Sequence, residues 1–115
     1  MKALDIWKER HPRDAELLSR CRDAVKAVAP SAEVVLYGSR ARGEASPESD
    51  YDLLVLVDGP VDRDLENRIG DRLYDLELET GSVVSLIVYE KGFWETSLCK
   101  AMPLHRNVDR EGVKL

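Results

Sequence analysis

Asp50 and Asp52 flank a single tyrosine, and ten residues before them stands the pair Gly38-Ser39. Residues i and i+2 of a strand face the same way, so a strand entered at this point presents the two carboxylates side by side and turns Tyr51 to the other face. Two neighbouring carboxylates resist joint ionisation, and a divalent cation removes that conflict. Mg²⁺ suits such a pair because it takes a few carboxylates and fills its remaining positions with water and substrate phosphates. Gly38 and Ser39 offer complementary chemistry. A glycine lets a backbone approach a phosphate without a Cβ in the way, free N–H groups at a strand-to-helix turn donate to anionic oxygens, and the Ser39 hydroxyl adds one donor. Arg40 and Arg42 follow within one turn and carry forked cationic donors, and Gly43 permits an unusual backbone exit. Taken singly, a Gly-Ser pair or an aspartate at a strand entrance is ordinary turn chemistry. Their order and spacing give them a joint meaning.

The surrounding elements must hold these groups in place. Leu17, Leu18, Cys21, Val25 and Val28 recur at helical spacing, which predicts a first amphipathic helix from about Asp14 to Val28, closed by Pro30. Glu33 to Tyr37 is short and β-branched and stops at Gly38, the pattern of a buried strand. Tyr51 to Val57 predicts a second strand, ended by Asp58-Gly59-Pro60. Asp62 is placed to cap a helix whose stripe is Leu65, Ile69, Leu73 and Leu76. Gly81 breaks that helix before a third strand from Val83 to Tyr89. A short helix from Phe93 to Lys100 and another from Pro103 to Arg110 follow, with Gly112 as the stop. The order predicts an α/β (α+β) fold in which helices pack on a short mixed sheet. Trp7 and Ile6 are equally consistent with a staple for the first helix and with a frayed contact.

Composition narrows the classes of function. A chain of 115 residues predicts one domain spanning positions 1–115, large enough to bury a core without staples. Cys21 and Cys99 fit reduced, partly buried thiols rather than a disulfide framework. No apolar run approaches the ~20 residues that span a bilayer and no signal-peptide core is present, so the expected location is cytoplasmic. The net charge of −5 gives no bulk electrostatic case for nucleic acid, and a polyanionic ligand must be held locally.

The string Gly38-Ser39, ten residues, Asp50-Tyr51-Asp52, with Ala41-Arg42-Gly43 inside it and Leu53 after it, resembles the signature of the minimal nucleotidyltransferases of the polymerase beta superfamily. The resemblance implies a nucleotidyltransferase-type core. It also implies Mg²⁺-dependent transfer of a nucleoside monophosphate from a nucleoside triphosphate, ATP first among them, to a hydroxyl acceptor. On this reading Gly38 and Ser39 bind the triphosphate with help from Arg42, and Asp50 and Asp52 are the catalytic, metal-holding residues.

Active members of that family usually carry a third carboxylate on the next sheet strand. Here the matching position is Ser85, which can be neither an anionic ligand nor a proton acceptor at neutral pH. Glu77, Glu79 and Glu90 fall at the helix end or beyond the strand. The substitution opens a second reading, a weak or inactive nucleotide-binding protein of antitoxin type that binds a HEPN-like partner, a pairing common among small members of the family. Phe93-Trp94 and Met102 to His105 are candidates for a partner surface or homodimer contact, with core packing the favoured alternative. His11 and His105 stand apart from the aspartate pair in sequence and are left out of the site.

Overall fold

The computed structural model describes residues 1–115. Its sheet forms around two adjacent central strands, β1 (Glu33–Tyr37) and β2 (Tyr51–Val57), which pair antiparallel. β3 (Val84–Glu90) joins β2 in parallel, and β4 (Val113–Lys114) joins the outer side of β1 antiparallel, giving the order β3-β2-β1-β4. The parallel pair needs a crossover, and α4 (Arg63–Thr80) supplies it. Asp62 caps that helix as its sequence predicts, accepting from the Leu65 N–H at 2.8 Å, and Gly81 ends it in the left-handed conformation.

Helices cover both faces, which is why Leu53 to Val57 is a continuous apolar run rather than an alternation. Leu53, Val55 and Val57 turn towards α2 (Pro12–Val28) and α4, where they meet Leu18, Cys21, Val25, Ile69 and Leu73. Leu54 and Leu56 turn the other way and join Val35, Trp94, Cys99 and Val108. The elements on that second face are α5 (Lys91–Trp94), α6 (Ser97–Lys100) and α7 (Pro103–Glu111). Both cysteines are free and buried within these two clusters, and burial pushes the Cys21 thiol up to about 11. No helix is long and apolar enough to cross a membrane.

Several boundaries differ from the sequence expectation. The segment expected as one helix from Phe93 to Lys100 is two, because the Thr96 hydroxyl accepts from the Cys99 N–H and starts a new helix there. An N-terminal helix, α1 (Leu4–Arg10), was not expected. Trp7 settles into the first core cluster and its indole N–H donates to the Ala41 carbonyl at 3.1 Å. Trp94 and His105 are buried and stacked at 4.3 Å, so that pair packs inside, whereas Phe93 stays exposed against Tyr89. Gly112 does end α7, but with φ −63° rather than as a left-handed cap. Its requirement is space: a Cβ there would lie 2.5 Å from the Val108 carbonyl oxygen and 3.0 Å from Val35 Cγ1.

Two glycine substitutions should therefore move stability in opposite directions. Gly112→Ala forces backbone and a core valine apart and should destabilise by about 1–3 kcal/mol. Gly70→Ala, inside α4 where a methyl would meet nothing within 4 Å, should stabilise by about 0.5–1 kcal/mol. Urea midpoints of the two variants against the parent chain check both signs.

Candidate active site

The strand ends that bring the signature residues together are the C-terminus of β1 and the N-terminus of β2. Their antiparallel register sets Tyr37 opposite Asp52. The chain then leaves β1 through α3 (Gly38–Arg42), and Gly43, at φ 75°, ends this short helix. Gly38 adopts φ +80°, which costs a residue with a Cβ about 1–2 kcal/mol. A Cβ at this position would also collide with the Asp52 carboxylate. The glycine thus brings the first turn of α3 against the second aspartate, and the phosphate-type turn and the acidic pair form one place. Ser39 lies half-buried in that turn beside the first N–H groups of α3, which have no partner within the helix.

Asp52 is half-buried and Asp50 exposed. Burial first, and then the Asp50 charge, push the Asp52 carboxyl above the usual aspartate range, while the Arg42 guanidinium pulls it down. Tyr37 shares this environment. Burial, followed by the negative charge of Asp52, raises its phenol. Ser85, the position matched to the family's third carboxylate, pairs with Asp52 in the parallel ladder, and its Oγ donates to Asp50 Oδ2 over a long 3.4 Å. The three side chains therefore make a corner of two carboxylates and one neutral hydroxyl.

That donor set fits a hard divalent cation, which relieves the like-charge conflict felt by Asp52 and completes its shell with water and phosphate oxygens. It falls short of a full carboxylate triad, and no group of three His, Cys, Asp or Glu side chains gathers anywhere in the structure. The acidic residues near position 85 in sequence do not fill the gap. Glu77 accepts from the Val84 N–H, Glu79 pairs with Arg20, and Glu90 stands at the opposite end of β3, across from Val57.

The arginines have other partners. Arg40 donates to the Ser49 and Pro47 carbonyls, pairs with Asp14 and lies 4.3 Å over the Tyr51 ring, so it fixes the loop that delivers Asp50. Arg42 is held by Glu44 at 3.0 Å and by Glu111 at 2.6 Å. Glu111, from the last turn of α7, is only 5 % exposed, and its charge adds to the rise at Asp52. Sequence spacing could not find Glu111, since the pair joins positions 69 residues apart. A glutamate directly before the close-packed Gly112 was its only local signal. His11, distant in sequence, lies near the turn: a Cβ on Gly43 would sit 3.3 Å from its Nε2.

Comparison with known proteins agrees with this geometry. Residues 18–108 match the family model described as the nucleotidyltransferase domain. A protein of Methanocaldococcus jannaschii named as a protein adenylyltransferase is 35% identical over 80 residues, which cover 70% of this chain and 73% of that one. A solved structure, described as the crystal structure of the toxin-antitoxin with AMP-PNP, shares the fold with a TM-score of 0.60 at 20% identity, over 84% of this chain and 69% of its own. The family match runs from α2 into α7 and contains the Gly38-Ser39 turn, the aspartate pair and Ser85, and the chain belongs to the nucleotidyltransferase domain family.

Proposed function

We propose that the protein transfers a nucleoside monophosphate, AMP from ATP, to a hydroxyl group on a protein acceptor, the hydroxyl oxygen bonding to the α-phosphorus as the bond from that phosphorus to the β-phosphate breaks and pyrophosphate leaves. The observation that carries this reading is the close approach of the Asp52 carboxylate to Gly38, which joins a phosphate-binding turn to an acidic pair. The Gly38 and Ser39 N–H groups and the Ser39 hydroxyl bind triphosphate oxygens. Asp50 and Asp52 hold Mg²⁺. When bound, that ion supplies charge neutralisation at the reacting phosphate and makes the acceptor hydroxyl easier to ionise. Arg42, braced by Glu44 and Glu111, keeps the turn in position and contributes positive charge near Asp52. Positioning and electrostatics then carry most of the rate. The protein acceptor is in keeping with the name of the archaeal relative, and AMP-PNP in the description of the structural neighbour is in keeping with a nucleotide ligand.

One observation favours a second reading. Ser85 sits beside Asp52, where a third carboxylate would take the acceptor proton, and a serine hydroxyl cannot accept it at neutral pH. In this reading the protein binds nucleotide and metal with little turnover and acts by covering a HEPN-like partner.

Calorimetric titration with ATP and Mg²⁺ tests the shared premise. Saturable heat is expected for the parent chain, and its loss in Asp50→Ala, Asp52→Ala and Gly38→Ala, the last because the added methyl evicts the Asp52 carboxylate. Equal binding by the parent and the double aspartate variant would remove both readings. Turnover separates them: Ser85→Asp should raise transfer from α-labelled ATP by about 10²-fold, the low end of what a positioned general base contributes. A copurifying partner gives the third measurement. Label on that partner, absent with Asp52→Ala, supports transfer, whereas a tight unlabelled complex supports covering.

A further inference from the structure

Between α1 and the last residues of α3 the structure has a hollow of about 310 Å³ whose lining includes neither aspartate of the pair. Its floor is apolar, formed by the buried Trp7 and Ala41, with the exposed Ile6 at its edge. The floor is also fixed in place. The Trp7 indole N–H and the Lys2 ammonium both donate to the Ala41 carbonyl, at 3.1 Å and 2.7 Å, and the His11 ring stacks on Trp7 at 4.4 Å. The rim carries Lys2, Arg10, His11 and Arg42, and no acidic side chain lines the hollow.

The charge on this rim is not evenly spent. Arg42 is already matched by Glu44 and Glu111. Lys2 has one carbonyl partner for its ammonium, and Arg10 has neither a hydrogen bond nor an ion pair. His11 has a defined orientation: its Nδ1 lies 2.9 Å from the Trp7 carbonyl, which can only accept, so Nδ1 carries a proton and Nε2 is left at the Gly43 side. A chain with net charge −5 thus gathers unmatched cations around a rigid aromatic and aliphatic floor. Apolar pockets with a few convergent polar groups are the usual form of a small-molecule site, and this volume lies at the small end of that range.

We propose that the hollow binds a small organic anion, an apolar or aromatic body bearing one phosphate or carboxylate group, at a site separate from Asp50 and Asp52. The body rests on Ile6 and the small part of Trp7 that stays accessible, and the anionic group meets Arg10 and Lys2. Because the hollow shares Ala41 and Arg42 with α3, an occupant contacts the same short helix that carries Ser39. The site does not depend on the transfer reading.

Trp7 reports on occupancy directly. In Trp94→Phe it is the remaining indole, and calorimetry on the full chain with Trp94 intact gives an independent measurement. Both are run in EDTA on an Asp50→Asn/Asp52→Asn background, so that the metal-dependent site is silent. AMP represents a phosphate head, N-acetylphenylalanine a carboxylate head, and adenosine the uncharged body. Saturable quenching and heat are expected with at least one of the two anions, and the tighter one identifies the head group. Adenosine should bind at least about tenfold more weakly, and Arg10→Glu should weaken the anion by about tenfold or more while leaving the urea midpoint unchanged. Absence of saturable binding by both anions, or binding that Arg10→Glu leaves intact, overturns the proposal. Neither result bears on ATP and Mg²⁺ binding by the parent chain, so failure here and failure of the transfer reading are told apart.

Discussion

Everything at the candidate site depends on one steric constraint, the contact between a residue without a side chain and the carboxylate of Asp52. The β1 to β2 register places Asp52 across from Tyr37, the last residue before the turn. Gly38 then bends at φ +80° directly over the carboxylate. Any side chain at position 38 would push the turn and the carboxylate apart. The acidic pair and the phosphate-type turn could each exist without the other, and it is this contact that places them side by side.

The remaining elements secure that contact from three directions. From below, the continuous apolar run of β2 is buried on both faces, which leaves its register with β1 and β3 little freedom to slip. From the loop side, Arg40 ties Ser49 and Pro47 down and rests on the Tyr51 ring, while the Tyr51 hydroxyl donates to Asp14 on α2 at 2.6 Å. Burial and that hydrogen bond push the Tyr51 phenol up to about 12, so it remains a donor throughout the neutral range. From above, Arg42 joins the end of α3 to the buried Glu111 of α7. A carboxylate withdrawn from water is costly unless matched, so Arg42 stabilises Glu111 at the same time as Glu111 orients Arg42. The two arginines, adjacent to the phosphate turn in sequence, thus serve first as parts of its support.

Much of this was legible in the sequence because it is encoded locally. Helical spacing found α2 and α4, the Asp62 cap lies three residues before the N–H it accepts from, and β-branched runs found the three long strands. Ser85 is singled out through the family resemblance, and the parallel ladder sets it level with Asp52. What escaped notice is encoded at long range. β4 is two residues long and exists only because β1 offers it an edge. α1 is short and polar apart from a few residues, and its role becomes visible only when Trp7 reaches Ala41, 34 positions away. Glu111 looks like any helix-surface glutamate until the fold buries it against Arg42. Gly112 showed the reverse problem: its identity correctly marked a helix end, but for reasons of packing that no local rule contains.

The electrostatic balance sets the terms on which a chain of net charge −5 would take the triphosphate proposed for it. The charges of Asp50 and Glu111 both raise the Asp52 carboxyl, and Arg42 pulls it part of the way back down. A triphosphate approaching this corner alone would meet net repulsion from the side chains. The donors of Gly38 and Ser39 are neutral, and neutral donors cannot overcome several like charges at short range. On the proposed reading, affinity for a nucleotide would depend on a cation that answers the aspartates and the phosphates together. With serine rather than a third carboxylate at position 85, the corner carries one negative charge fewer. That change lowers the repulsion a nucleotide must overcome while removing the group best suited to take a proton from the acceptor. A serine at this position would thus favour binding over turnover, a physical reason why the two proposed roles meet at this one residue.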